Sequence, residues 1–248
     1  MELRKWIESI EWYKGNSHAE KQISASQLGG DLLPIYLAKV ATKDSRKTIG
    51  SAWVGSAFHF GMENMMSDDR YGTEVSQAKT LSNGWTITGT ADVADYEMEN
   101  IHDYKTLSAS SYTKKKKEVK FTHSQISVQL ATLLWLNDFR GSAFAEFFIT
   151  DLKPWKRDHP ATGYQQLPVS VMPVEELEGF MVAKTNQLQR HLDDGTVPVE
   201  CENVMWMVYD GNRIKLKCEY YCDYKNSCPH YAKKTNKLAV TKHTISGW

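Results

Sequence analysis

The sequence contains no run approaching the ~18 consecutive apolar residues that a membrane-spanning helix requires. Its opening, MELRKWIESIEWYKGNSHAE, is amphipathic and charged, with no apolar segment ahead of a cleavage site. A secreted or bilayer-spanning protein is therefore not expected, and the reading is cytoplasmic. An excess of charge of one sign is also missing. The 30 Lys and Arg are cancelled by 30 Asp and Glu, so any nucleic-acid or membrane partner would have to be met by a local patch. Prolines number only 7, and no internal repeat, low-complexity tract or linker divides the chain. Cysteine is absent before Cys201, and all four cysteines then crowd between 201 and 228. In a reducing compartment that crowding points to metal ligands or plain thiols, not disulfides. What is present is 248 residues of 41% hydrophobic content, enough to bury a sizeable core. The expectation is one α/β domain over 1–248, with a core of about 24–195 and a cysteine-rich segment of about 196–232.

Hydrophobic spacing predicts the elements. The first twenty residues suit an amphipathic helix, and SASQLGGDLLPIYLAKVA reads as a capped helix with Pro34 disturbing its middle. Trp53, Ala57, Phe60 and Met65 have helical spacing within 50–66, which puts His59 and Glu63 on one face. From Thr73 to Thr106 the pattern becomes an antiparallel meander of strands broken by SNG and MEN. Lys114 to Lys117 read as a basic loop, 122–138 as a helix, 142–152 as a strand and 153–170 as an extended loop. A helix then opens at Pro173, with two glutamates where a helix N-terminus favours them.

The acidic strands carry the chemistry. A tight turn at Met98 and Glu99 places Asp92 opposite Lys105, and strand alternation puts Asp103 on the same face. Two carboxylates and an ammonium converging suit Mg²⁺, a hard cation that shares one or two carboxylates with a substrate phosphate. The implied reaction is phosphodiester hydrolysis, with a lysine to orient water or stabilise the transition state. An isolated D-x-K is more often a surface ion pair, and a lone His59 between Phe58 and Phe60 is more often a packed core residue.

GTAD with Asp92, HDYKT with Asp103 and Lys105, FHFGME with His59 and a downstream glutamine-bearing helix together resemble the PD-(D/E)XK nuclease superfamily. The similarity is to its RecB-like exonuclease branch, of the phage- or virus-encoded type, and runs from about Ser24 to His230. The resemblance implies a restriction-endonuclease-like fold, a mixed central β-sheet flanked by helices. It implies His59, Asp92, Asp103 and the Tyr104 carbonyl as ligands to Mg²⁺ or Mn²⁺, and Lys105 as the catalytic lysine. The Q-x-x-x-Y pattern of the branch falls on Gln125, with Gln129 where tyrosine is expected. Glu63 and Glu74 read as supporting carboxylates or as solvated glutamates. The lysines of TKKKKEVK suit either DNA phosphates or a solvated charge run, and Trp155 and Tyr112 either base stacking or packing. The implied activity is a metal-dependent DNA exonuclease in phage recombination, repair or processing, acting in the host cytoplasm. The implied partners are linear DNA and a phage recombinase or single-strand-binding protein. A structure-specific endonuclease of the same fold and a non-catalytic DNA-binding or assembly module are the alternatives.

Cys201, Cys218, Cys222 and Cys228 form a C-x16-C-x3-C-x5-C pattern whose thiolates could close around a [4Fe–4S] cluster or a structural Zn²⁺. His230 is a spare nitrogen ligand for zinc. Branch members with an iron–sulfur cluster carry their first cysteine near the N-terminus, so here Cys201 would replace that distant ligand.

Overall fold

A computed structural model describes residues 21–41, 55, 57–62, 68–151, 160, 162–201, 206–209, 212–215, 218 and 222–231. The amphipathic opening, Glu63 and Trp155 lie outside these residues. The elements are β1 (Gln22–Ser24), α1 (Ala25–Leu28), α2 (Leu32–Val40), β2 (Tyr71–Thr80), β3 (Thr86–Asp95) and β4 (Asn100–Leu107). After them come α3 (Ala109–Glu118), α4 (Gln125–Leu136), β5 (Ala143–Ile149), β6 (Tyr164–Pro168), α5 (Val174–Asp193), β7 (Trp206–Tyr209) and β8 (Asn212–Lys215). Residues 57–62 are also helical. No helix among the described residues is long and apolar enough to cross a membrane.

The first six strands form one mixed sheet flanked by helices, the architecture expected of a restriction-endonuclease-like fold. β2, β3 and β4 are the expected antiparallel meander, β4 and β5 run parallel, and β6 returns antiparallel to β5. A parallel pair needs a crossover connection, and α3 with α4 provides it. β3 has an unusual edge. It pairs in parallel with β1 at Thr86–Thr88 and antiparallel with β4 at Val93–Asp95, so the sheet forks between those stretches.

α4 fills the space behind the fork. Ser124 caps it by accepting from the Ser127 backbone N–H at 3.2 Å, and nine of its twelve residues are buried, as befits a helix apolar almost all round. Ile126, Leu130 and Leu133 meet Ala91, Ala145 and Phe147 of the sheet, while Val128 and Ala131 meet a second apolar cluster built from α2 and α5. Gly89 lets the helix approach closely, since a Cβ there would lie 2.7 Å from Leu133. Gly29, between α1 and α2, does the same for the start of α4: a Cβ would lie 2.6 Å from the Cα of Gln125, in backbone that cannot swing aside. Gly29→Ala is therefore expected to cost about 1–3 kcal/mol by overpacking, read as a lower urea midpoint with unchanged slope.

Several local expectations need correction. Pro34 does not disturb a helix. Gly29 and Gly30 separate α1 from α2, and Pro34 falls in the first turn of α2, where a missing N–H is harmless. Lys114 to Lys117 sit on helix α3, capped by Ser108, and are not in a loop. The stretch expected to be wholly extended loop holds strand β6, paired with β5 from Phe144 to Phe148. The β3–β4 turn is also longer than two residues. Asp95 accepts from the backbone N–H groups of Glu97 and Met98, both at 3.1 Å, and Glu99 takes a left-handed φ of 53°. Val93 consequently faces His102, which moves the pairing by two residues from the expected register. A shift of two keeps every side chain on its original face. Asp92 therefore still shares a face with Asp103 and Lys105, opposite Asp103 in place of Lys105.

Candidate metal centre

Asp92 stands at the fork. Beyond Val93 and His102 the ladder between β3 and β4 stops, and the Asp92 carboxylate takes its place by accepting the Tyr104 backbone N–H at 2.6 Å. On the other edge of β3, Thr73 faces Val93 and Val75 faces Ala91, which sets Glu74 directly across from Asp92. Like charges facing each other across strands repel. Glu74 also has a left-handed φ of 49°, an uncommon conformation for a glutamate within a strand. His59, from the helical segment 57–62, comes within 3.4 Å of both carboxylates through Nδ1. One ligand atom from each of His59, Glu74 and Asp92 lies within 4.8 Å of the others, a grouping able to hold a metal ion.

Asp103 and Lys105 complete the centre from β4. Asp103 is only 2% exposed. Its Oδ1 accepts from Lys105 Nζ at 2.8 Å and from Gln129 Nε2 of α4 at 2.9 Å. Its Oδ2 lies 2.7 Å from the same ammonium but off the hydrogen-bonding direction, so this buried oxygen has no hydrogen-bond partner. The Lys105 ammonium is the cation that balances this buried carboxylate in the metal-free centre. The donor chemistry, hard oxygens with one imidazole, fits Mg²⁺ or Mn²⁺.

The titration of these groups follows from the crowding. Burial, then the charge of Asp103, pushes the Asp92 carboxyl up to about 7, and His59, Lys105 and the Tyr104 N–H oppose this only in part. The hydrogen bond to Glu74 raises the His59 pKa against the opposing effect of burial, with Asp92 adding to the rise. Burial alone would lower the Lys105 pKa, but the charge and hydrogen bond of Asp103, helped by Asp92, leave it raised. Lys105 is thus an ammonium at neutral pH.

His59, Asp92, Asp103, Tyr104 and Lys105 are brought together by the fold. Gln125 is not among them: its Nε2 donates to the Ser26 carbonyl at 3.2 Å and ties α4 to α1. Gln129, one turn further on, reaches Asp103 instead. Tyr112 is buried with its ring edge-on to Phe147 at 5.6 Å, so it packs and presents no face to a base. Lys115 pairs with Glu118 at 2.6 Å and Lys116 lies over the Tyr112 ring. At the other end, Cys201, Cys222 and Cys228 pack against the apolar cluster of α2 and α5, and no disulfide joins the four cysteines. Among the described residues no three of their sulfurs come within 4.8 Å of one another. His230 Nε2 donates to the Pro198 carbonyl at 3.0 Å.

Glu74 is the participant that sequence reasoning undervalued. Its signal was available: once SNG is accepted as the turn between β2 and β3, counting back along the hairpin sets Glu74 against Asp92.

No protein-family model matches the chain, and no curated protein matches it in sequence. Among solved structures, the chain is similar to a crystal structure described as SSO0001, at 16% identity and a TM-score of 0.58, covering 92% of this chain and 96% of that one. It is also similar to a phage-related exonuclease from Haemophilus somnus 129PT, at 12% identity and a TM-score of 0.46, over 70% of this chain and 94% of that one. At such identities the likeness to SSO0001 is one of fold.

Proposed function

We propose that the chain is a Mg²⁺- or Mn²⁺-dependent deoxyribonuclease acting as an exonuclease. The observation that carries this reading is the meeting of Glu74, Asp92 and His59 at the sheet fork, beside the buried Asp103–Lys105 ion pair. Three carboxylates so close are a poor way to hold a sheet together and a good way to hold a divalent cation.

His59, Glu74, Asp92 and Asp103 would hold the ion. A cation there would neutralise charge growing on a phosphate oxygen and make water a better nucleophile at neutral pH. Lys105, held as an ammonium by Asp103, donates hydrogen bonds and positive charge toward the phosphoryl oxygens; it is not the group that takes the proton. Gln129 donates to Asp103 Oδ1 and would fix the orientation of that carboxylate when an ion is bound. Water displaces the leaving oxygen at phosphorus, and one phosphodiester bond becomes a phosphate monoester and a hydroxyl. The four thiols have the donor chemistry for a [4Fe–4S] cluster, with structural zinc the alternative, but no three of their sulfurs lie within 4.8 Å among the described residues, so either group would have to draw them together.

Incubation of end-labelled linear DNA and closed circular DNA with Mg²⁺, Mn²⁺ or EDTA tests this reading. Loss of linear DNA from its ends, only with metal and with circles left intact, is the expected result. Cutting of circles would replace the exonuclease reading with an endonuclease, and intact linear DNA under every metal condition would leave a DNA-binding or assembly module.

A further inference from the structure

The sheet face turned away from α4 is not a plain surface. Even-numbered residues of β4 and β5 point there, and His102, Tyr104, Phe144, Glu146 and Phe148 line a cavity of about 600 Å³. That volume lies in the range of sites for small organic ligands, roughly 300–1,000 Å³. Phe58 packs on Phe148 at 4.3 Å and on Tyr104 at 6.0 Å, both between ring centroids. The same Tyr104 ring stands edge-on to His59 at 6.1 Å, so cavity and metal centre share a wall.

Three charged groups line it: Arg70 and Asp95 pair with each other at 2.6 Å, and Glu146, 3% exposed, lies among the rings. Burial would raise its pKa, but donors from His102, Tyr164 and Gln166 bring it below the ordinary glutamate value. Oε1 takes His102 Nδ1 at 2.7 Å and Gln166 Nε2 at 2.8 Å, and Oε2 takes the Tyr164 hydroxyl at 2.7 Å. The consequence is orientation. Each neighbour spends its proton on Glu146 and turns an acceptor outward: Gln166 Oε1, the Tyr164 oxygen lone pairs and, in the neutral ring, His102 Nε2. At the rim, Asn100 Oδ1 is taken by the Ser142 N–H at 2.7 Å, which leaves its amide N–H groups as donors. The result is an aromatic-lined cavity rich in outward acceptors, with its one guanidinium, Arg70, paired to Asp95 and Glu97, beside a centre suited to a phosphodiester.

We propose that this cavity receives an unpaired nucleobase of the strand being cut and prefers a base with an exocyclic amino group. The inference rests on the nuclease reading for its nucleic-acid ligand and adds which part of that ligand is read. Cytosine, adenine and guanine each bring two amino N–H donors to the outward acceptors, whereas thymine brings only its single N3–H. Aromatic faces hold any base by stacking, so the acceptors supply the selectivity.

The test is binding without cutting. Fluorescein-labelled single-stranded homopolymers of cytidine and thymidine, with a fully abasic strand as control, are titrated with the full-length protein in EDTA and followed by anisotropy. Cytidine is expected to bind about tenfold tighter than thymidine, with the abasic strand weakest. In Tyr164→Phe, at a residue 43% exposed and therefore tolerant of change, the cytidine-to-thymidine ratio should fall toward one. Equal affinity of the wild type for cytidine and thymidine strands would overturn the proposal, as would an undiminished ratio in Tyr164→Phe. The two readings fail separately. Metal-dependent cutting without base preference removes the pocket and keeps the nuclease, and preference in EDTA without cutting under any metal does the reverse.

Discussion

Lys105→Ala is expected to slow metal-dependent DNA cleavage roughly 10²–10³-fold. The side chain is 32% exposed, so its stem is not part of the packed core, and its ammonium donates to Asp103 Oδ1, which Gln129 also holds. No apolar packing is lost, but Asp103 loses its counter-charge, so the metal-free variant should melt lower and Mn²⁺ should restore more of its stability than in the wild type. Metal affinity separates this role from a structural one. Removing the ammonium deletes the positive charge that competes with a cation for Asp103, so Mn²⁺ should bind the variant at least as tightly as it binds the wild type. A single-turnover rate, a thermal melt and a Mn²⁺ titration on both proteins check this. A wild-type rate in the variant would remove Lys105 from the mechanism, and a parallel loss of metal binding would make it a positioning residue for the ligands.

Much of this centre was legible because strand alternation is strict. The face shared by Asp92, Asp103 and Lys105 followed from period two and survived a two-residue error in register, since such an error cannot flip a side chain. The length of the turn was not legible in the same way: Asp95 gathers the Glu97 and Met98 N–H groups, a side-chain choice that a polar break does not announce. The fork was hidden for a different reason. It depends on β1, three residues long, docking in parallel on an edge that β4 uses further along, and no local pattern encodes a partner sixty residues away. Glutamines on α4 posed a third kind of problem. Gln125 and Gln129 lie one turn apart on the same side, and only the depth at which Gly29 and Gly89 admit the helix decides which of them meets Asp103. The aromatic cavity was invisible because its polar residues come from four strands and read singly as ordinary strand positions.

Divalent-metal affinity is expected to rise with pH, steeply up to about 7. Asp92 is the reason: with its carboxyl pushed up to about 7, the metal-free centre carries a proton there at pH 6 that the ion must displace. His59, its pKa raised by Glu74, adds a second proton on the same side of the transition. Binding below pH 7 therefore releases between one and two protons, and the affinity should change by about 10- to 100-fold per pH unit in that range. The same shifts fix the sign for stability. Both groups titrate in the folded chain above their unfolded values, so the stability they lend the metal-free protein is greatest in acid and is lost as pH rises through the raised values. Above pH 7 the centre is a set of mutually repelling carboxylates that only a cation relieves, and Mn²⁺ should raise the melting temperature more at pH 8 than at pH 6. Calorimetric titration of Mn²⁺ at pH 6, 7 and 8, in buffers of different ionisation enthalpy, counts the released protons directly. Equal affinity at the three pH values with no proton release would mean that the ion does not bind through Asp92, and the fork would then be an electrostatic strain without the metal that explains it.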